Sequence, residues 1–186
     1  MRPLALALVH HPVLDRRAEV VTTAITNLDL HDICRSAYTY GLSAVYVTHP
    51  VAAQRELALR VKAHWTTGSG ARRIPDRSPA LGILQVVESL DQARAAHGGQ
   101  EGCELWATSA QGSGDVLSFA GASSMLTGEG RPVLIAFGTG WGLSPDVTAA
   151  AAQQLSPIHS PRADGYNHLS VRAAVAIILD RLRGRS

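Results

Sequence analysis

The sequence predicts an α/β domain built on a largely parallel sheet covered by helices on both faces. Three observations carry that prediction. Leu4–Val9 and Pro132–Phe137 are unbroken apolar runs, as expected of strands buried on both sides. Segments of helical period lie between and after them: Leu30, Ile33, Cys34 and Ala37 in one, Val171, Val175, Ile178 and Leu182 in another. Strands end in Gly- or Ser-rich loops, which in such a sheet is where ligands belong.

In chain order, Leu4–Val9 is a first strand, His10–Val20 a loop turning near Pro12, and Val21–Ile25 a short extended piece. Asn27–Tyr40 is a helix that Gly41 ends as a C′ residue. Ala44–Thr48 is a second strand and Val51–His64 a second helix. The stretch 66–79 holds turn residues and arginines without an apolar period, and predicts a mobile surface loop. Strands follow at 83–87 and 104–108, helices at 90–96 and 118–126, and Gly138–Gly142 comes directly after the run ending at Phe137. The last helix continues to Leu182, with Ala174 and Ile177 widening its apolar stripe.

Length and composition exclude several classes. The 186 residues fit one domain, 46% hydrophobic content supports a packed core, and 17 basic against 15 acidic groups give no polyelectrolyte signal. Cys34 and Cys103 lack C-x-x-C spacing, which argues against a zinc site or a disulfide framework and fits a reducing cytoplasm. No metal is implied. The run at 4–9 is too short for a secretory core, and the longest apolar run, Ala173–Leu179, is far below the roughly 20 residues that span a bilayer. A soluble, cytoplasmic protein with no membrane partner is expected. Gly138, Gly140 and Gly142 form G-x-G-x-G after a late strand, which is not the dinucleotide fingerprint, and Lys62 is the sole lysine, so no phosphate-loop lysine exists.

Three stretches converge on one end of the predicted sheet: Thr108-Ser109-Ala110, Gly138–Leu143, and the polar turn Asn167–Ser170 that opens the last helix. Small residues and open backbone groups there suit an adenine edge or a ribose. Separately, Arg72, Arg73 and Arg77 lie near Trp65, a set able to contact phosphates and stack a base, or equally to form a solvated loop with the indole packed inward.

Asn27 with Arg35-Ser36-Ala37 and Gly41, then Phe137-Gly138-Thr139-Gly140-Trp141-Gly142-Leu143, then Asn167-His168-Leu169-Ser170-Val171-Arg172-Ala173-Ala174 resemble, in order and spacing, the three motifs of the SPOUT superfamily. These are trefoil-knotted, S-adenosylmethionine-dependent RNA methyltransferases. The closest resemblance is to a small bacterial branch, sometimes fused to tRNA guanine-N1 methyltransferase, whose members share I-T-N-L-D-x-H-D-I, F-G-T-G-W-G-L and Y-N-H-L-S-V-R. The resemblance implies one SPOUT domain over residues 1–186, with a deep C-terminal knot in which the segment around Leu155–Asn167 threads a preceding loop. It implies S-adenosyl-L-methionine as cofactor, S-adenosyl-L-homocysteine as product, tRNA or rRNA as partner, and a homodimer.

The same resemblance implies cofactor contacts at Thr108, Ser109, Ala110, at Phe137, Gly138, Thr139, Gly140, Trp141, Gly142, at Ile158, and at Tyr166, Asn167, His168, Leu169, Ser170 and Ala173. It sets Asn27 and Arg35 beside the acceptor. Arg35 does not readily deprotonate and better suits an anchor for phosphate or oxyanion charge, which leaves His31, Asp29 or Asp32 as alternative bases. Ribose 2′-O methylation is expected slightly ahead of a base nitrogen. Thr139 stands about where ribose methyltransferases carry a glutamate, a departure that weighs against the ribose. The alternative expectation is a non-catalytic RNA-binding scaffold that assists a partner methyltransferase.

Overall fold

The computed structural model describes residues 1–98, 102–112 and 115–184. Its strands are β1 (Leu4–Val9), β2 (Val13–Leu14), β3 (Val20–Val21), β4 (Ala44–Thr48), β5 (Leu84–Val87), β6 (Glu104–Ala107), β7 (Val133–Gly138) and β8 (Gln153–Gln154). Its α-helices are α1 (Asn27–Thr39), α2 (Ala52–Thr66), α3 (Ser69–Arg73), α4 (Ser78–Gly82), α5 (Leu90–Gly98), α6 (Phe119–Thr127), α7 (Pro145–Ala149) and α8 (Val171–Arg183). Six strands form one sheet in the order β5-β4-β1-β7-β6-β8, every pair parallel. β2 and β3 make a short antiparallel ribbon beside it.

Alternation along the central strands divides the core. Leu4, Leu6 and Leu8 of β1 face one side with Val45, Val47, Ile135 and Phe137, covered by α1, α4, α6 and α8. Ala5, Ala7 and Val9 face the other with Leu134 and Ala136, covered by α5, α7 and the ribbon. The unbroken apolar runs follow from this arrangement, since each strand residue is buried whichever way it points. On α8, Val175, Ile178, Leu179 and Leu182 are buried against α1 and α6, each contributing about 1.5–3 kcal/mol by leaving water.

The stretch at 66–79, expected to be a mobile loop, is instead mostly helical, forming α3, a 3-10 turn at Pro75–Arg77 and the start of α4. Glycine and proline act here as fitting residues rather than breakers. A Cβ on Gly70 would lie 2.7 Å from the His64 ring, so only glycine lets α3 close on α2, and Pro75 and Pro79 sit in first turns that need no N–H. The expected first loop also gains the β2–β3 ribbon, while α7 and β8 occupy a region where no element was predicted.

β8 matters most for the site. Leu155 N donates to Ala107 O (2.9 Å), Leu117 N donates to Gln154 O (2.7 Å), and Ser156 N donates to Leu117 O (2.9 Å). Residues 153–156 therefore lie between the two ends of the connection that joins β6 to α6. Among the described residues no helix is long and apolar enough to cross a membrane.

α1 and α8 are tied at their N-termini. Asp29, buried in the first turn of α1, accepts from the Thr26 hydroxyl (2.6 Å) and pairs with Arg172 of α8 (3.1 Å), which also reaches Asp32 (3.6 Å). Replacing Asp29→Ala leaves Arg172 without its shielded partner and Thr26 without its acceptor. A loss of about 2 kcal/mol is expected in urea unfolding, and an unchanged midpoint would show that the tie contributes nothing.

Candidate active site

The carboxyl ends of β1, β7 and β6 lie side by side, and the loops that leave them build the site. After β7 the chain turns sharply: a Cβ on Gly138 would stand 2.5 Å from Leu143 N, while Gly140 and Gly142 take φ of +61° and +111°. The ribbon holds this turn from outside, with Trp141 N donating to Leu14 O (2.8 Å) and Leu14 N to Gly142 O (2.9 Å). Thr108, which directly follows β6, is fixed by its N–H and hydroxyl, both donating to Ala136 O. Ser109 closes a local turn with Gln111.

The third loop arrives from β8. Asn167 Nδ2 donates to Ile158 O (2.7 Å), which closes the 158–167 excursion. His168 then meets Trp141 and Tyr166 edge-on, with ring centroids at 6.1 and 5.2 Å. Ser170 caps α8. Among the described residues the N–H groups of His168, Leu169 and Ser170 pair with no other group, leaving a run of donors that fits a nucleoside edge. Trp141, Tyr166 and Leu169 are exposed, at 61%, 60% and 46%. The Phe137 ring lies in the core at 2% exposure. Ala110 and Gly140 are exposed loop positions, and Ala173 follows in the first turn of α8.

Arg35, exposed on α1, lines an open groove of about 540 Å³ with Asp32, Ser170, Arg172 and Ala173. The structure thus brings the first motif to the third. Asn27 is exposed in the first turn, and the helix cap is Thr26 rather than Asn27 or Asp29. Both oxygens of Asp29 are engaged by Thr26 and Arg172. His31 does not line the groove. Its ring packs edge-on to Trp65 at 5.0 Å with Nδ1 unpartnered among the described residues, and burial, aided by the Arg77 charge, holds it below its usual pKa. Trp65 is half-buried against the core, with the Arg77 guanidinium 4.9 Å over its ring, whereas Arg72 and Arg73 are exposed. The inward-packed reading of Trp65 is the one that the structure shows.

Sequence reasoning missed a polar cluster beneath the glycine turn. His10 and His49, which follow β1 and β4, are 0% and 2% exposed with ring centroids 5.6 Å apart. His10 Nδ1 bonds Thr23 Oγ1 (3.0 Å), which bonds Thr139 Oγ1, which donates to Val9 O (3.0 Å). The available signal was two histidines directly behind a buried strand, at the sheet edge where ligands bind.

Burial lowers His10 from 6.5 to about 4, with His49 adding to the shift and Asp29 opposing it; burial also lowers His31, His49 and His97. The unfolded chain therefore binds more protons than the native one between pH 6.5 and 4. Stability is full above that window and falls through it on acidification, by on the order of 3 kcal/mol from His10 alone. Thermal melts from pH 7 down to pH 4 are expected to show a steady fall that His10→Asn flattens; a parallel fall in wild type and variant would remove His10 as its source.

A family model described as SAM-dependent RNA methyltransferase matches residues 3–184. A protein of Nitratidesulfovibrio vulgaris called tRNA (guanine-N(1)-)-methyltransferase is 46% identical over 185 residues, covering 98% of this chain and 42% of that one. The chain therefore spans less than half the length of such relatives. An uncharacterized Aquifex aeolicus protein is 33% identical over 183 residues, 97% of this chain and 88% of its own length. The SpoU methyltransferase AviRb from Streptomyces viridochromogenes, solved with AdoMet, shares the fold at a TM-score of 0.60 and 17% identity, covering 97% of this chain and 59% of that one. With its three motif loops gathered at the carboxyl end of one parallel sheet and the family match running almost end to end, the chain belongs to the SPOUT-type SAM-dependent RNA methyltransferases.

Proposed function

We propose that the protein transfers the methyl group of S-adenosylmethionine to a base nitrogen of a tRNA. The observation that carries this reading is the meeting of the second and third motif loops, whose Trp141, His168 and Tyr166 form an exposed aromatic edge beside open backbone donors. An unstacked base is held by such rings. Relatives called tRNA (guanine-N(1)-)-methyltransferase support tRNA and a base nitrogen, although that name describes chains more than twice as long as the matched stretch. Thr139 supports the base as well. It offers no carboxylate where the ribose enzymes carry one, and its hydroxyl is engaged by Val9 and Thr23.

In this reading the loops at 108–110, 138–142, 158 and 166–170 bind the cofactor, which supplies an electrophilic methyl on a sulfonium centre. Arg35 anchors acceptor phosphate or developing negative charge in the α1–α8 groove. Asn27 orients the acceptor at the start of the same helix. Arg72 and Arg73 contact the RNA backbone, with Arg77 set over Trp65 as a charged face. The segment around Leu155–Asn167 threads a preceding loop in this reading, supported by the hydrogen bonds that hold 153–156 between β6 and Leu117. The reading includes a homodimer, for which the open α1–α8 groove offers a surface.

Purified protein with radiolabelled S-adenosylmethionine and unmodified tRNA is expected to put label into base-methylated nucleosides after digestion. Label in 2′-O-methyl nucleosides would move the acceptor to the ribose, and RNA binding without turnover would favour the scaffold alternative. Arg35→Ala is expected to keep S-adenosylhomocysteine affinity within about twofold in calorimetry while lowering transfer about 100-fold, whereas Ser170→Trp abolishes cofactor binding.

A further inference from the structure

The buried polar cluster below the glycine turn has a defined hydrogen-bond direction. Thr139 Oγ1 donates to the Val9 carbonyl, which can only accept, so its oxygen accepts the hydrogen bond donated by the Thr23 hydroxyl. Thr23, having donated, accepts from His10 Nδ1. His10 is therefore the Nδ1–H tautomer, with an unprotonated Nε2 that is buried and has no partner among the described residues. His49 takes the opposite form: its Nδ1 accepts from Val51 N (3.0 Å), so its Nε2–H donates to Thr23 O (2.9 Å). Thr23 N completes the frame by donating to His10 O (3.0 Å).

Thr23 is thus gripped at its N–H, its hydroxyl and its carbonyl. It stands three residues before the Thr26 cap of α1, while Thr139 stands inside the cofactor turn. We propose that the His10–Thr23–Thr139 chain, with His49 clamped on Thr23, is a positioning device that fixes the connector leading to α1 against the glycine turn and so sets the separation between the acceptor side and the cofactor side. His10, His49 and Thr23 are positioning residues that act through Thr139 and α1 rather than on the reacting atoms. The device works only while both imidazoles are neutral. An imidazolium at His10 would carry an Nε2–H with nothing to accept it. The inference rests on the reading that the turn at 138–142 binds S-adenosylmethionine.

Thr23→Val keeps the side-chain shape and removes the relay, whereas Thr23→Ser keeps the hydroxyl. Calorimetry with S-adenosylhomocysteine and transfer from labelled S-adenosylmethionine to tRNA are read on both, beside long-range proton–nitrogen NMR of the histidines in the wild type. The valine variant is expected to weaken cofactor binding about tenfold and to lower kcat beyond that, with serine restoring both to within about threefold. The NMR is expected to show His10 protonated at Nδ1 and His49 at Nε2, a readout that does not depend on any variant folding. An Nε2–H form of His10, or a valine variant matching wild type in both assays, would overturn the device. Wild-type protein that shows the expected tautomers but binds no S-adenosylhomocysteine would overturn the cofactor reading instead.

Discussion

The site depends on the main-chain grip between the β2–β3 ribbon and the turn after β7. Leu14 exchanges hydrogen bonds with Trp141 and Gly142, and so grips the part of the turn whose two glycines stand at positive φ. The ribbon is two residues long on each side and could not persist alone. It persists because Val13 is buried in the same cluster as Leu143, so the turn and the ribbon stabilise each other. The second motif is therefore shaped by residues more than a hundred positions earlier in the chain.

A comparable logic links the first and third motifs. Asp29 and Arg172 pair in a half-shielded setting, where an ion pair is stronger than on an open surface and its geometry is fixed by the Thr26 hydroxyl. The pair joins α1 to α8 beside the groove that Arg35 and Ser170 share. Specific polar contacts set the relative placement of the motifs here, while the apolar core supplies most of the stabilisation.

Much of this was legible before any coordinates. β1, β7, α1 and α8 announce themselves because a strand buried on both faces has no polar alternation and a core helix repeats every three or four residues. The loops of the site could be read because small residues follow those strands. β8 could not be read: Gln153 and Gln154 carry no strand signal and pair only because β6 offers a free edge. α3 and α4 were hidden by glycine and proline, whose use as contact and first-turn residues depends on α2 being in place. The His10 relay joins atoms separated by 13 and 116 residues, and no local pattern encodes such a distance.

The position of β8 also constrains the order in which the molecule can form. Both of its spatial neighbours, β6 and Leu117, precede it in the chain, so synthesis completes the two walls before the strand that sits between them. Pairing between segments so far apart in the chain is slow compared with the formation of α1 or α2. The segments that follow β8 consequently belong to the last part of the fold to close. A molecule bound across them stabilises only the closed form, and so acts as a brace on the latest-forming region of the native chain.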